Sequence, residues 1–295
     1  FAAAVFFLST KGLNLSVEFT GGVLVEARYS QPAELEKIRE GLRATGIDEP
    51  QVQNFGTARD VLVRLAVKDL QSGVLGTEGK LNQQALTEQV LNLGGPNVQL
   101  MRVEFVGPQV GKELAEQGGL AVLVALICIM IYVSFRFEWR LAAGSVAALA
   151  HDVIVTLGVF SVFQLEFDLT VLAGVLTVVG YSLNDTIVVF DRIRENFLKM
   201  RKSDPEEVVN VSITQTMSRT IITTGTTLVT VVALFLKGGT MIHGFATALL
   251  LGIFVGTYSS IYVASFLAIK LGICREHMMP VEIEKEGADQ PPMMP

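Results

Sequence analysis

Residues 169–190 read LTVLAGVLTVVGYSLNDTIVVF, and this stretch decides the class of fold. Its 22 residues carry a single acidic or basic side chain, Asp185, within a mostly apolar run. At about 1.5 Å per residue a helix of this length reaches about 33 Å, enough for a hydrocarbon core of about 30 Å. Four more apolar runs surround it, at 118–135, 141–163, 221–236 and 243–269. The run at 221–236 is too short to span alone, so its helix must extend back through Thr220, Arg219 and Ser218, which brings Arg219 inside the slab near one face. Half of the 295 residues are hydrophobic and 18% are charged, which is too apolar for an ordinary soluble chain. The expected class is a polytopic α-helical membrane protein. An apolar stretch at 1–8 is too short to span and reads as the end of a further helix, so that the expectation is six membrane helices with the first one truncated at 1–11.

Residues 12–116 differ in character. Residues 23–29 (VLVEARY) read as a strand, and Leu35, Ile38 and Leu42 fall on one face of a helix that follows Pro32. Residues 52–55 and 61–67 read as two strands around a turn near Gly56. Residues 81–93 have a helical period that stops at Gly94-Gly95-Pro96, and residues 98–106 alternate as a last strand. The order βαββαβ predicts a ferredoxin-like α+β domain over 12–116, with two helices on one face of an antiparallel sheet.

Short-loop basic residues set the expected orientation. Arg136 and Arg140 flank one loop, and Arg192, Arg194, Lys199, Arg201 and Lys202 crowd the segment 191–218. The opposite short loops carry none (164–168) and one, Lys237. By the positive-inside rule the basic connectors are cytoplasmic, as are both termini and the tail at 273–295, and the 12–116 domain lies on the other side, the periplasm of a Gram-negative cell. Within the connector 191–218, Ser203-Asp204-Pro205-Glu206 has capping-box spacing and predicts the start of a short interfacial helix.

Ionisable groups inside a bilayer are rare and costly, at least about 2.5–3.5 kcal/mol at the centre, and mark functional sites. His151 and Asp152 lie within 141–163, Asn184 and Asp185 within 169–190, and Arg219 at a depth comparable to that of Asp185 on the next membrane helix. One reading is a proton relay in which a movement that changes the Asp185–Arg219 distance changes proton affinity. The other is a static salt bridge that fixes helix packing. Asp152 and His151 suit either proton access or interhelical hydrogen bonding. Gly252 and Gly256 form a GxxxG followed by Ser259 and Ser260, a packing signal within the chain or against a partner. Cys128 and Cys274 imply neither a disulfide framework nor a zinc site. A net charge of −6 gives no sign of nucleic-acid binding, and no Walker A or GxGxxG motif occurs at a strand-to-helix turn. No cofactor and no enzymatic site are expected, and an ion gradient is the expected energy source.

Several long motifs carry a family resemblance. They are Phe19-Thr20-Gly21-Gly22, Val103-Glu104-Phe105-Val106-Gly107-Pro108, Phe135-Arg136-Phe137-Glu138-Trp139-Arg140, Ala150-His151-Asp152, Ser218-Arg219-Thr220, and the run from Val179-Gly180-Tyr181-Ser182-Leu183-Asn184-Asp185-Thr186 to Phe190-Asp191-Arg192-Ile193-Arg194-Glu195-Asn196. With the tail Glu284-Lys285-Glu286-Gly287-Ala288-Asp289-Gln290, they resemble the SecF side of the SecD/SecF family, within the resistance-nodulation-division superfamily. The resemblance implies an inner-membrane subunit that pairs with SecD and associates with SecYEG and accessory membrane subunits such as YajC and YidC. It implies use of the proton-motive force in late stages of export, with periplasmic domains that hold the translocating polypeptide. It places the family's essential acid at Asp185 and its intramembrane Arg at Arg219. A small-molecule exporter of the same superfamily and a non-transporting scaffold subunit are the competing readings.

Overall fold

A computed structural model of the chain describes residues 1–44, 47, 50–55, 57–66, 98–200 and 202–274. The extramembrane part is built on a four-stranded sheet of β2 (Gly22–Arg28), β3 (Gln51–Phe55), β4 (Thr57–Ala66) and β5 (Gln99–Val106), in the order β3-β4-β2-β5 and antiparallel throughout. Between β2 and β5 the register slips between Glu26–Arg102 and Ala27–Leu100, leaving Met101 as the extra residue of a bulge, and between β3 and β4 it shifts at Asn54/Phe55. Alternate side chains point to opposite faces. Val23, Val25, Ala27, Val61, Val63 and Leu65 face one way and pack on Ile38 and Leu42 of α3 (Leu35–Ala44). The other face carries Leu24, Glu26, Leu62 and Arg64, and Leu24 and Leu62 pack on Val17 of the one-turn helix α2 (Val17–Thr20). Because both faces are covered, β2 is buried from Gly22 through Ala27, which explains why its sequence does not alternate cleanly. The helix expected at 81–93 lies outside the described residues.

Among the described residues five helical stretches are long and apolar enough to cross a membrane, which makes this an integral membrane protein. They are α4 (Pro108–Arg136), α5 (Trp139–Phe163), α6 (Leu169–Lys199), α7 (Pro205–Lys237) and a composite of α8 (His243–Tyr258), a π-helical turn (Ser259–Val263) and α9 (Ala264–Lys270). The opening helix α1 (Ala2–Thr10) lies across α5, where Gly158 leaves room for Ala4: a Cβ on Gly158 would stand 2.3 Å from the Ala4 Cβ. The helix α6 is central, with buried residues from Val171 to Phe197 that contact α5, α7 and α8. Conversely, α4 and α7 leave Leu123, Ile127, Ile131, Ile221, Ile222 and Val229 exposed, apolar faces suited to lipid or to another membrane subunit.

Two expectations about the connector are corrected. Residues 191–218 are not a loop with its own short helix: α6 runs on to Lys199, and a new helix starts at Pro205 and continues without a break to Lys237. No residue in 191–199 breaks a helix, and Ile193, Asn196 and Phe197 are buried inward while Arg192, Glu195 and Lys199 form exposed i,i+3 and i,i+4 ion pairs. The start at Pro205 is capped by Asp204 rather than Ser203, and no side-chain capping bond forms. Beyond it, Val208 and Val209 join a core with Phe190, Ile193 and Phe197, so packing carries the helix straight into the membrane run.

Sheet and bundle are joined at several points. The short strand β1 (Asn14–Leu15) pairs in parallel with β6 (Glu166–Phe167) in the loop between α5 and α6. Leu169 N–H donates to Glu18 Oε2 at 2.6 Å at the start of α6. Arg64 of β4 is buried and ion-paired with Glu166.

Candidate functional site

One cluster of buried polar groups sits where α5, α6 and the π-helical turn meet, and another, with Asn196, Ser212, Thr216, Thr220 and Thr224, lies along α6 and α7. Asp152 lies near the middle of α5 and is 1% exposed. Its Oδ2 accepts a hydrogen bond from Ser182 Oγ at 2.7 Å, and its Oδ1 lies 3.1 Å from His151 Nδ1. His151 is half-buried and stacks on the ring of Phe1, 5.5 Å between centroids. On α6, Ser182, Asp185 and Thr186 share one face by their i, i+3, i+4 spacing, and all three are buried. Thr186 Oγ1 donates to Ser260 Oγ at 3.1 Å, and Ser260 Oγ also reaches Ser182 O at 3.1 Å.

The GxxxG of α8 makes this meeting possible. It packs within the chain, on α6: a Cβ on Gly252 would lie 2.2 Å from Val178 Cγ2, and one on Gly256 would lie 3.1 Å from Ser182 Oγ. The π-helical turn that follows turns two consecutive serines inward, both 0% exposed. Ser259 Oγ reaches Ala148 O of α5 at 3.4 Å, while Ser260 faces α6.

Asp185 is 5% exposed, and its Oδ2 has no hydrogen-bond partner. Arg219 stands on α7 at the same level. The two helices are pinned on either side of it, by Asn196 Nδ2 donating to Ser212 Oγ (2.9 Å) and Gln215 Oε1 (3.0 Å), and by Tyr181 O–H to Thr224 Oγ1 (3.4 Å). Among the described residues no ion pair within 4.0 Å joins Arg219 to Asp185. Its side chain lies on the exposed surface of α7. The structure therefore brings Asp152 and His151 together, sets Asp185 and Arg219 on facing helices without contact, and leaves Asn184 exposed, away from Asp185. The sequence reading missed Ser182, Thr186 and the role of Ser260. A hydroxyl residue in a membrane helix commonly bonds its own backbone, so only the helix contacts single these three out.

A second polar region lies outside the bundle. A cavity of about 390 Å³ between the sheet and the ends of the helices is lined by Glu18, Glu26, Glu104, Glu166, Asp168 and Arg102, among others. Burial pushes the Glu18 carboxyl above the usual carboxylate range, against the lowering effect of the Leu169 N–H. Burial also pushes the Arg64 guanidinium down to about 10. Among the described residues no group of three or more His, Cys, Asp or Glu side chains is placed to hold a metal ion.

Fold and site together define a polytopic helical membrane protein with an extramembrane antiparallel sheet and carboxylates sealed between its helices. Residues 86–273 match the family described as "Protein export membrane protein SecD/SecF, C-terminal", and residues 6–33 match the "SecD/SecF GG Motif". The chain belongs to the SecD/SecF family. It is 63% identical over 289 residues to the protein translocase subunit SecF of Vibrio alginolyticus, covering 98% of this chain and 90% of that one. It is 50% identical over 297 residues to the protein translocase subunit SecF of Escherichia coli O157:H7, covering 99% of this chain and 89% of that one. Among solved structures it is similar to SecDF of Thermus thermophilus, described as a translocon-associated membrane protein, with a TM-score of 0.80 and 40% identity. That likeness covers 91% of this chain and 36% of the solved one. A second SecDF structure, in a form described as super-membrane-facing, gives a TM-score of 0.64 at 39% identity.

Proposed function

We propose that this chain is the SecF-type subunit of the Sec protein-export machinery and uses a proton gradient to promote late stages of polypeptide translocation. The observation that carries the energetic part is the Asp185 carboxylate, buried with an unpartnered oxygen opposite an Arg219 that it does not touch. A static salt bridge would hold the two in contact. An open pair leaves the acid free to gain or lose a proton and leaves the guanidinium free to approach when α6 and α7 shift. Asp152 and His151 belong to the same relay on this reading, and Asn184 to the surface beside it. The chain matches only about a third of the solved SecDF chain, and its α4 and α7 faces are exposed, which supports a SecD-type partner completing the bundle.

The strand order β3-β4-β2-β5, with α3 on one face, supports a ferredoxin-like extramembrane domain. The basic residues of Arg136, Arg140 and the α6–α7 turn support a cytoplasmic location for that side, a periplasmic location for the sheet, and residence in the bacterial inner membrane with the first of six helices represented by α1. Association with the SecYEG channel and with accessory subunits such as YajC and YidC follows from the family, and the translocon-associated description of the solved relative supports it. The test is export into membrane vesicles with and without a proton gradient. The gradient is expected to speed export with the wild-type chain and not with Asp185→Asn, while both assemble with the partner. Full gradient stimulation in Asp185→Asn would favour a scaffold subunit, and activity as a lone small-molecule pump would favour an exporter.

A further inference from the structure

Three hydroxyl groups lead from the Asp152 carboxylate as far as Thr186, the residue next to Asp185, with no hydrogen bond to Asp185 itself. Ser182 Oγ donates to Asp152 Oδ2 at 2.7 Å. Ser182 Oγ and Ser260 Oγ are 3.5 Å apart, and Thr186 Oγ1 is 3.1 Å from Ser260 Oγ. All three side chains are at most 1% exposed, so no bulk water competes for these bonds. Thr186 adjoins Asp185, whose Oδ2 is the unpartnered acceptor at this end of the series. The π-helical turn is what makes the series continuous from Asp152 to Thr186. It places Ser260 against α6, between the oxygens of Ser182 and Thr186, while Ser259 anchors the turn to the Ala148 carbonyl of α5. Single π-helical turns inside α-helices recur at functional sites.

We infer that Ser182, Ser260 and Thr186 form a hydroxyl relay that carries protons between Asp152 and Asp185. This rests on the proton-coupled reading above. A proton on Asp152 passes to the Ser182 oxygen as the Ser182 hydrogen moves to Ser260 Oγ. The Ser260 hydrogen then moves to Thr186 Oγ1, and the Thr186 hydrogen passes to the Asp185 carboxylate once side-chain rotation brings these two neighbours into contact. Only O–H bonds are made and broken, no electron is transferred, and each hydroxyl ends neutral with its hydrogen replaced. The bonds seen here, Ser182 to Asp152 and Thr186 to Ser260, are the orientation left after such a transfer, and rotation of all three hydroxyls resets the series.

The experiment measures proton flux into vesicles holding the complete complex of this chain with its partner, under an imposed pH difference, with co-purification scored in parallel. Ser260→Ala and Thr186→Val remove one hydroxyl each, the second with little change of shape. Each is expected to lower flux by on the order of 10²-fold, the scale of a positioned proton-transfer group. Ser260→Thr keeps the hydroxyl and is expected to keep the flux. Wild-type flux in Thr186→Val and Ser260→Ala, with flux abolished in Asp185→Asn, overturns the relay and leaves the proton-coupled reading standing. Wild-type flux in Asp185→Asn overturns that reading and the relay with it. If Ser260→Ala fails to assemble, Thr186→Val alone decides.

Discussion

The contact of Gly252 with Val178 carries a quantitative consequence. A methyl group at position 252 would stand 2.2 Å from Val178 Cγ2, 2.6 Å from Cγ1 and 2.9 Å from Cβ. Ordinary carbon contacts are about 3.5–4.0 Å, so α8 would have to retreat from α6 by more than about 1 Å. Rotation of Val178 gives no relief, because a β-branched side chain in a helix is held to one rotamer and Val178 is 1% exposed. Gly252→Ala is therefore expected to destabilise the bundle by about 1–3 kcal/mol, the cost of overpacking. Val178→Ala alone should cost about 2 kcal/mol through lost burial and a small cavity. In the double variant the new methyl fills that cavity, so its cost should fall below the sum of the two by about 1–3 kcal/mol. Equilibrium unfolding of the purified chain in mixed micelles, read by circular dichroism, measures all four corners of the cycle. A Gly252→Ala chain as stable as the wild type, or a strictly additive double variant, would refute the close α6–α8 contact.

Two further outcomes concern the extramembrane sheet. Arg64 and Glu166 are an ion pair in which Arg64 is almost fully buried, so Arg64→Met or Glu166→Gln alone should loosen the sheet from the α5–α6 loop, by roughly 3–5 kcal/mol if the remaining charge stays buried. The Arg64→Met, Glu166→Gln pair should cost less than either alone, measured as hydrogen-exchange protection of β4 and β6. The Arg28 guanidinium beside Asp60 holds its carboxyl below the usual carboxylate range. A depressed acid stabilises the fold above its unfolded pKa of about 3.9 and loses that contribution as pH falls through the lower folded value. Thermal unfolding should thus show a loss of sheet stability below about pH 4 that is smaller in Asp60→Asn, and an identical acid profile in that variant would exclude Asp60 as the cause.

Much of this architecture is written in patterns of known period. The strand at Val23, Val25 and Ala27, the helical face of Ile38 and Leu42, and the long apolar runs can be read directly, because each repeats over several residues. The pairing of Asn14 and Leu15 with Glu166 and Phe167 cannot, since two residues carry no period and their partners lie about 150 positions away. The continuation of α6 through Phe197 was hidden by charge, whereas the helix start at Pro205 was legible and only its unbroken run into the membrane segment was not. Arg192, Glu195 and Lys199 suggest an aqueous loop, whereas they form the exposed side of the last turns of α6, whose other side is core. In the site, Asp152, Asp185 and Arg219 stand out because charge is rare in apolar runs. Ser182, Thr186 and Ser260 do not, because hydroxyls in membrane helices are common and their meaning depends on a π-helical turn that hydropathy does not encode.

On the proposed proton-coupled reading, Asp185 on α6 gains and loses a proton as the complex works. The most direct measurement is proton uptake by vesicles reconstituted with the intact complex, monitored by an internal pH dye while a polypeptide is being exported. Wild-type complexes should move protons in step with export, and assembled Asp185→Asn complexes should move none. Equal proton uptake in both would contradict the account.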